Sequence, residues 1–283
     1  MREMAQRVAL IGNPLKRRHS EIMHNAAFDH FSIDARYELR ELEPQQISGF
    51  VLETRGDDWL GFQVTAPYKQ IVMDHLDEIE IGASQIGAVN SVLRREDGTL
   101  VGFNTDAPGF QRAAEGELDI RFSGLRVAVA GAGGVARAVV SALVTAGADA
   151  VVICDLEPSR AGDLAASFGN GVRAVAVGER FENELRRVDF AVNATTVGMI
   201  QPGMAFDPSV LADSAVVFDL VYNPPESELL RQARSRGLLA SNGLGMLVAQ
   251  AEIAFERWTG ELDAGPVMRA ALASEPPSDQ LGG

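Results

Sequence analysis

Cysteine is almost missing from this chain: Cys154 stands alone among 283 residues. One thiol excludes a disulfide framework and any cysteine-cluster metal site. Positive charge is in the minority, with 25 Lys+Arg against 39 Asp+Glu and a formal net charge of −14. Nucleic-acid surfaces need clustered Lys and Arg, so this balance excludes a phosphate-backbone binder. The short basic patch Lys16, Arg17 and Arg18 does not overturn that. Long apolar runs are absent too. Residues 190–206 are broken by Asn193, Thr195, Thr196, Gln201 and Pro202, so no span and no membrane partner is expected. The N-terminus lacks the apolar run of a signal peptide. The four histidines, His19, His24, His30 and His75, are too irregularly spaced for a metal site, and none is expected. These exclusions leave a cytoplasmic globular protein of one large or two ordinary domains, with no legible interface stripe to decide between monomer and homodimer.

What is present is an α/β alternation of short apolar runs and amphipathic stretches. Strands are expected at 8–11, 36–42 and 60–65. Helices are expected at 21–31, capped by Ser20, at 44–55, and after Pro67 through Val72 and Leu76. Residues 90–94 and 99–103 read as a hairpin turning at Glu96-Asp97-Gly98. A helix through Phe110 and Ala114 then leads to strands at 126–130, 150–154, 172–177, 190–193 and 216–220. Right-handed crossovers make this a Rossmann-type doubly wound parallel sheet. Helices at 247–258 and 266–273 precede a Pro/Gly/Ser-rich tail, 274–283, expected to be frayed. The expected domains are an N-terminal α/β substrate domain, 1–105 completed by 242–283, and a dinucleotide-binding domain, 106–241. Ligands are expected in the cleft between two such domains.

Gly131-Ala132-Gly133-Gly134-Val135-Ala136 follows an apolar strand and opens an apolar helix. Gly131 permits the tight turn, Gly133 lets backbone approach a pyrophosphate, and Ala136 is small enough for helix–strand packing. Amides at the helix start hold the anion without a lysine. Asp155 follows about 20 residues on, at the end of the next strand, where a carboxylate takes the ribose hydroxyls of NAD. Glu157 adds negative charge that repels a 2′-phosphate. NAD is therefore favoured, with NADP kept open because Arg160 could reach a phosphate. Cys154 reads as a buried strand residue with no histidine partner.

In the first domain Ser20, Thr65, Lys69, Asn90, Asn104, Thr105 and Asp106 sit at strand ends and loop starts. Lys69 and Asp106, if they meet, form a proton-transfer pair worth roughly 10²–10⁴ in rate. A surface salt bridge explains the same spacing, and from spacing alone is the favoured reading.

The ordered set of segments resembles the shikimate dehydrogenase family over nearly the whole chain. The segments are Gly12-Asn13-Pro14-Leu15, Ser20 to Asn25, Val64-Thr65-Ala66-Pro67-Tyr68-Lys69, Ile86-Gly87-Ala88-Val89-Asn90-Ser91 and Asn104-Thr105-Asp106. Further on come Gly131 to Gly134, Asn193 to Met199, Asp219 to Pro224 and Gly243 to Gln250. The resemblance implies reversible oxidation of the C3 hydroxyl of shikimate to 3-dehydroshikimate, with hydride passing to a nicotinamide. It makes Lys69 the acid/base and Asp106 its partner, which displaces the salt-bridge reading. It implies that Ser20, Thr65, Asn90 and Gln250 hold the substrate. Thr195, Gly198, Met199, Tyr222, Gly243 and Met246 are implied on the cofactor side. Quinate dehydrogenase is the alternative enzyme, and a non-catalytic ligand-sensing paralogue the alternative of another class.

The chain departs from the family twice. Arg18-His19-Ser20-Glu21 replaces a Ser-x-Ser-Pro carboxylate clamp. Arg18 either binds the substrate carboxylate as a fork or favours a different acid. Asp155-Leu156-Glu157 replaces Asn-Arg-Thr, the mark of NADP-using members. Gln63 for asparagine, Ser91 for threonine and Ala107 for glycine carry no assigned consequence.

Overall fold

The computed structural model describes residues 5–15 and 17–274. Lys16 of the basic patch and the tail from 275 onward lie outside the described residues. The chain forms two compact units: one runs to Thr105 and resumes at Gln250, the other is Asp106–Ala249.

The first unit carries strands β1 (Gln6–Gly12), β2 (Ala35–Glu41), β3 (Trp59–Val64), β4 (Glu78–Ile79), β5 (Ser91–Arg94) and β6 (Leu100–Phe103). They form one mixed sheet in the order β2-β1-β3-β5-β6-β4. The expected hairpin is β5–β6, antiparallel, and β1 lies between parallel β2 and β3. Register sets Gln63 opposite Ser91 and places Leu10 beside Gln63. Helices α1 (His19–His30), α2 (Ile47–Glu53) and α3 (Ile81–Ile86) complete the N-terminal part. Its core is aromatic, with Phe50 edge-on to both Trp59 and Phe62.

Three local expectations are corrected. Helix α1 begins at His19, so Ser20 lies inside its first turn and caps nothing. The segment after Pro67 forms only a 3₁₀ turn, Ile71–His75, because β4 follows at once. Residues 44–46 are likewise 3₁₀, and α2 starts only at Ile47.

The second unit runs α4 (Asp106–Leu118), β7 (Arg126–Ala130), α5 (Gly134–Thr145), β8 (Ala150–Cys154), α6 (Pro158–Phe168), β9 (Val172–Ala174), α7 (Glu179–Leu185), β10 (Phe190–Asn193), β11 (Val216–Asp219), α8 (Glu228–Ser235) and β12 (Ala240–Asn242). All strand pairs are parallel, in the order β12-β11-β10-β7-β8-β9. This is the doubly wound arrangement, and the strand order reverses between β7 and β10. Strands buried on both faces read as unbroken apolar runs, and β7, β8 and β10 do so. Phe110 of α4 packs on Phe122, Phe190 and Phe218 beneath the sheet. Helix α9 (Leu244–Thr259) leaves the second unit after Ala249 and continues in the first, followed by α10 (Gly265–Ala273). Among the described residues no helix is long and apolar enough to cross a membrane.

Candidate functional site

Two groups of side chains qualify, one in each unit. In the first unit the register of β2, β3 and β5, together with Gln250 in the middle of α9, brings uncharged polar residues into a continuous chain. The Ser20 hydroxyl meets Tyr37. Tyr37 donates to Gln63 Oε1 at 2.6 Å. Gln63 Nε2 donates to Gln250 Oε1 at 3.2 Å and to Ser91 Oγ at 3.4 Å. The Thr105 hydroxyl lies 3.4 Å from Gln250 Oε1, and Asn90 Nδ2 donates to it at 3.0 Å. The Thr105 amide closes the chain by donating to Asn90 Oδ1 at 2.8 Å.

Buried polar groups are stable only when hydrogen-bonded, and this chain satisfies that demand side chain by side chain. Gln250 Oε1 faces two donors, so its orientation is fixed and its remaining polar atom, Nε2, is a donor. Asn25 clips β2 in place, accepting from the Tyr37 amide and donating to its carbonyl. Burial pushes the Tyr37 phenol up, the Ser20 hydrogen bond pulls it back, and nearby Glu21 raises it further.

Of the residues expected here, Asn90 and Gln250 are joined by the chain, and Ser20 lies beside Tyr37 at its end. Thr65 directly follows β3, and its amide donates to the Ile11 carbonyl. Lys69 follows four residues on, half-buried, its carbonyl fixed by the Val89 amide at 2.8 Å. Arg18 places its guanidinium on Glu21 as a two-bond fork, 2.6 and 3.1 Å. Asp106, buried, is the first residue of α4 in the other unit. Tyr37 and Gln63 were given no role by sequence reasoning. A tyrosine on the inward face of an alternating strand was the available signal, since its hydroxyl must find a buried partner.

His24 stacks on Tyr37 at 4.6 Å and lies near Trp258 and Phe255. Burial pushes it down to about 3, so it is neutral near pH 7. Burial pushes the Cys154 thiol up to about 12, which fits an inert strand residue.

In the second unit the loop after β7 has the geometry of a dinucleotide cradle. Gly131 has φ +105°, and a Cβ there would stand 2.8 Å from the Ala194 carbonyl oxygen. Only glycine fits that turn. At Gly133 and Gly134 a Cβ would meet nothing within 4 Å, so open space faces the start of α5. Asp155 Oδ2 accepts from the Ala132 amide at 2.8 Å, and Oδ1 from the Glu157 amide at 2.9 Å. Each oxygen keeps a further lone pair for a ligand hydroxyl. Val135 continues α5. Arg160 is exposed and paired with Glu157 at 2.8 Å.

The loop after β10 is held from below. Asn193 Oδ1 accepts from the Thr195 amide and hydroxyl, at 2.9 and 2.7 Å, and its Nδ2 donates to Val197 and Asp219. Gly198, at φ +94°, turns the loop toward half-buried Met199. Gly243 has Leu220 backbone oxygen 2.2 Å from its would-be Cβ, so the start of α9 rests directly on the segment before half-buried Tyr222. Met246 is buried. Glycine loop, acidic strand end and second loop thus surround the reversal point of one sheet, where open α/β sheets bind nucleotides. Among the described residues no group of three or more His, Cys, Asp or Glu side chains could hold a metal.

Three family models match successive parts of the chain. The family model described as "Shikimate dehydrogenase substrate binding domain" matches residues 10–92. "Shikimate / quinate 5-dehydrogenase" matches 112–202, and "Shikimate 5'-dehydrogenase C-terminal domain" matches 243–272. The shikimate dehydrogenase (NADP(+)) of Methanopyrus kandleri is 42% identical over 274 residues, 94% of each chain. The shikimate 5-dehydrogenase of Thermus thermophilus, solved with NADP(H) and shikimate, is 36% identical with TM-score 0.85, covering 95% of this chain and 99% of that one. The quinate dehydrogenase of Corynebacterium glutamicum, solved with NAD, is 34% identical with TM-score 0.86 over 95% and 99%.

Proposed function

This chain belongs to the shikimate dehydrogenase family, and on that premise we propose that it interconverts shikimate and 3-dehydroshikimate with a nicotinamide dinucleotide. The observation that carries the reading is the buried polar chain through Gln63, Gln250, Thr105 and Asn90. It fixes amide and hydroxyl groups on the unit that also carries Lys69. Asn90, Thr65 and Gln250 hold the ring hydroxyls, while Ser20 and Arg18 receive the carboxylate.

Lys69 takes the proton of the C3 hydroxyl as C3 loses its hydride, and returns it in the reverse direction. Asp106 orients the ammonium. Among the 25 Lys+Arg residues only Lys16 and Lys69 are lysines. Arginine does not give up its proton in proteins, so a chain built on arginine that keeps a lysine at 69 has kept the cation able to exchange one. A bound nicotinamide supplies the hydride acceptor. Gly131, Ala132, Gly133, Gly134 and Val135 would hold its pyrophosphate, and Thr195, Gly198, Met199, Tyr222, Gly243 and Met246 would border the ring.

NAD is the preferred dinucleotide in this reading. Asp155 accepts from free ribose hydroxyls and repels a 2′-phosphate, and the nearby cation, Arg160, is already paired with Glu157. The test is an absorbance assay with shikimate and quinate, each with NAD and NADP. Turnover of shikimate with a larger kcat/KM for NAD supports the reading. A larger value for NADP refutes the cofactor preference, and no turnover with either acid refutes the activity.

A further inference from the structure

The outer end of the buried polar chain carries an ion pair that the chain itself does not use. Arg18 Nε donates to Glu21 Oε2 at 2.6 Å and Nη2 to Oε1 at 3.1 Å. This is the parallel two-bond geometry in which a guanidinium takes a carboxylate from a ligand. The Arg18 side chain is 72% exposed, while that of Glu21 is 20% exposed and sits closer in. Ser20 stands between the two in sequence. Its hydroxyl reaches Tyr37, and Tyr37 lies near enough to Glu21 to respond to its charge. The pair therefore marks the end of the site at which Ser20 stands.

The geometry points to Glu21 as an internal stand-in for the substrate carboxylate, a specificity-determining residue that holds one edge of the Arg18 guanidinium and competes with an acid for it. This rests on the reading above, in which Arg18 and Ser20 receive the acid group. Glu21 takes the Nε/Nη2 edge of the guanidinium, so a charged substrate either displaces it there or shares the guanidinium with it, and in both cases faces it as a like charge. An uncharged substrate meets neither cost. Glu21 accordingly narrows the advantage of an acid over its neutral analogue. A pair whose arginine is 72% exposed is a weak competitor, so the effect is about two- to sixfold.

The test compares shikimate with its methyl ester, on the wild type and on Glu21→Gln and Glu21→Ala. Glutamine keeps the length of the side chain and removes the charge. The ratio of kcat/KM for acid over ester is expected to rise about two- to sixfold in both variants, through a lower KM for the acid, with the KM for the ester unmoved. Glu21→Asp, which keeps the charge, should stay nearer the wild-type ratio than either. A merely structural Glu21 would shift acid and ester together, and that result overturns the inference, as does an unchanged or lower ratio in a variant that melts like the wild type. Loss of turnover of acid and ester alike in the wild type overturns the underlying reading and this inference with it.

Discussion

Asn193 and Asp219 face each other in register at the ends of two parallel strands, Asn193 Nδ2 donating to Asp219 Oδ1 at 2.8 Å. Asp219 also accepts from the Val221 amide at 3.0 Å and from the Ser227 hydroxyl. Burial raises its carboxyl, and these donors hold it in place nonetheless. Through Asn193 the same carboxylate fixes Thr195 and Val197. Asp219→Ala strands those donors inside the fold. We expect a loss of about 2–4 kcal/mol in thermal unfolding, together with weaker dinucleotide binding by titration. Asp219→Asn should recover most of the stability, since it returns one acceptor without the buried charge. An alanine variant with wild-type melting and binding would show that the loop holds itself.

Two glycines of one loop separate folding from binding. Gly131 sits at positive φ against the Ala194 carbonyl, so Gly131→Ala is expected to cost about 1–3 kcal/mol in the folded state. Gly133, at φ −79°, has open space around its missing Cβ. Gly133→Ala should therefore melt like the wild type while its dinucleotide Kd rises, because a methyl would occupy the pyrophosphate approach. Calorimetry and dye titration read both. Unchanged Kd in Gly133→Ala would move the pyrophosphate elsewhere.

Lys69 is separable into charge and proton exchange. Lys69→Arg retains the charge and cannot exchange the proton, and Lys69→Met loses both. Each is expected to lower kcat by roughly 10²–10⁴, with the dinucleotide Kd within twofold of wild type. Asp106→Asn should lower kcat as well, by a smaller factor. A Lys69→Arg variant that kept wild-type kcat would reduce position 69 to an electrostatic contact.

Much of this was legible before any coordinates. Strands 126–130, 150–154 and 190–193 agree residue for residue, because strands buried on both faces leave unbroken apolar runs. The glycine loop and Asp155 were legible because their spacing is set by backbone geometry. Other parts left little trace. Strand β4 has two residues, too few for alternation, and α7 offers only Phe181 and Leu185 to a core. The role of Gln63 was invisible, since it depends on register bringing together residues 26, 28 and 187 positions away. The Ser20 cap failed because α1 begins one residue earlier, at His19, which puts Ser20 inside the first turn.

His24 makes stability depend on acidity in a defined window. Buried against Tyr37, Trp258 and Phe255, it takes up no second proton in the folded state until about pH 3. In the unfolded chain it takes one up near its ordinary value of about 6.5. The unfolded state thus binds more protons between those limits, so its stabilising contribution is full above pH 6.5 and is lost as pH falls. The slope assignable to this residue approaches about 1.4 kcal/mol per pH unit. Carboxylates in ion pairs add their own loss lower down, so the comparison must be made between pH 6.5 and 5. There His24→Phe, which keeps an aromatic ring and cannot titrate, should show a flatter fall in urea midpoint than the wild type. Equal slopes in the two proteins would mean that solvent reaches His24 in the folded state.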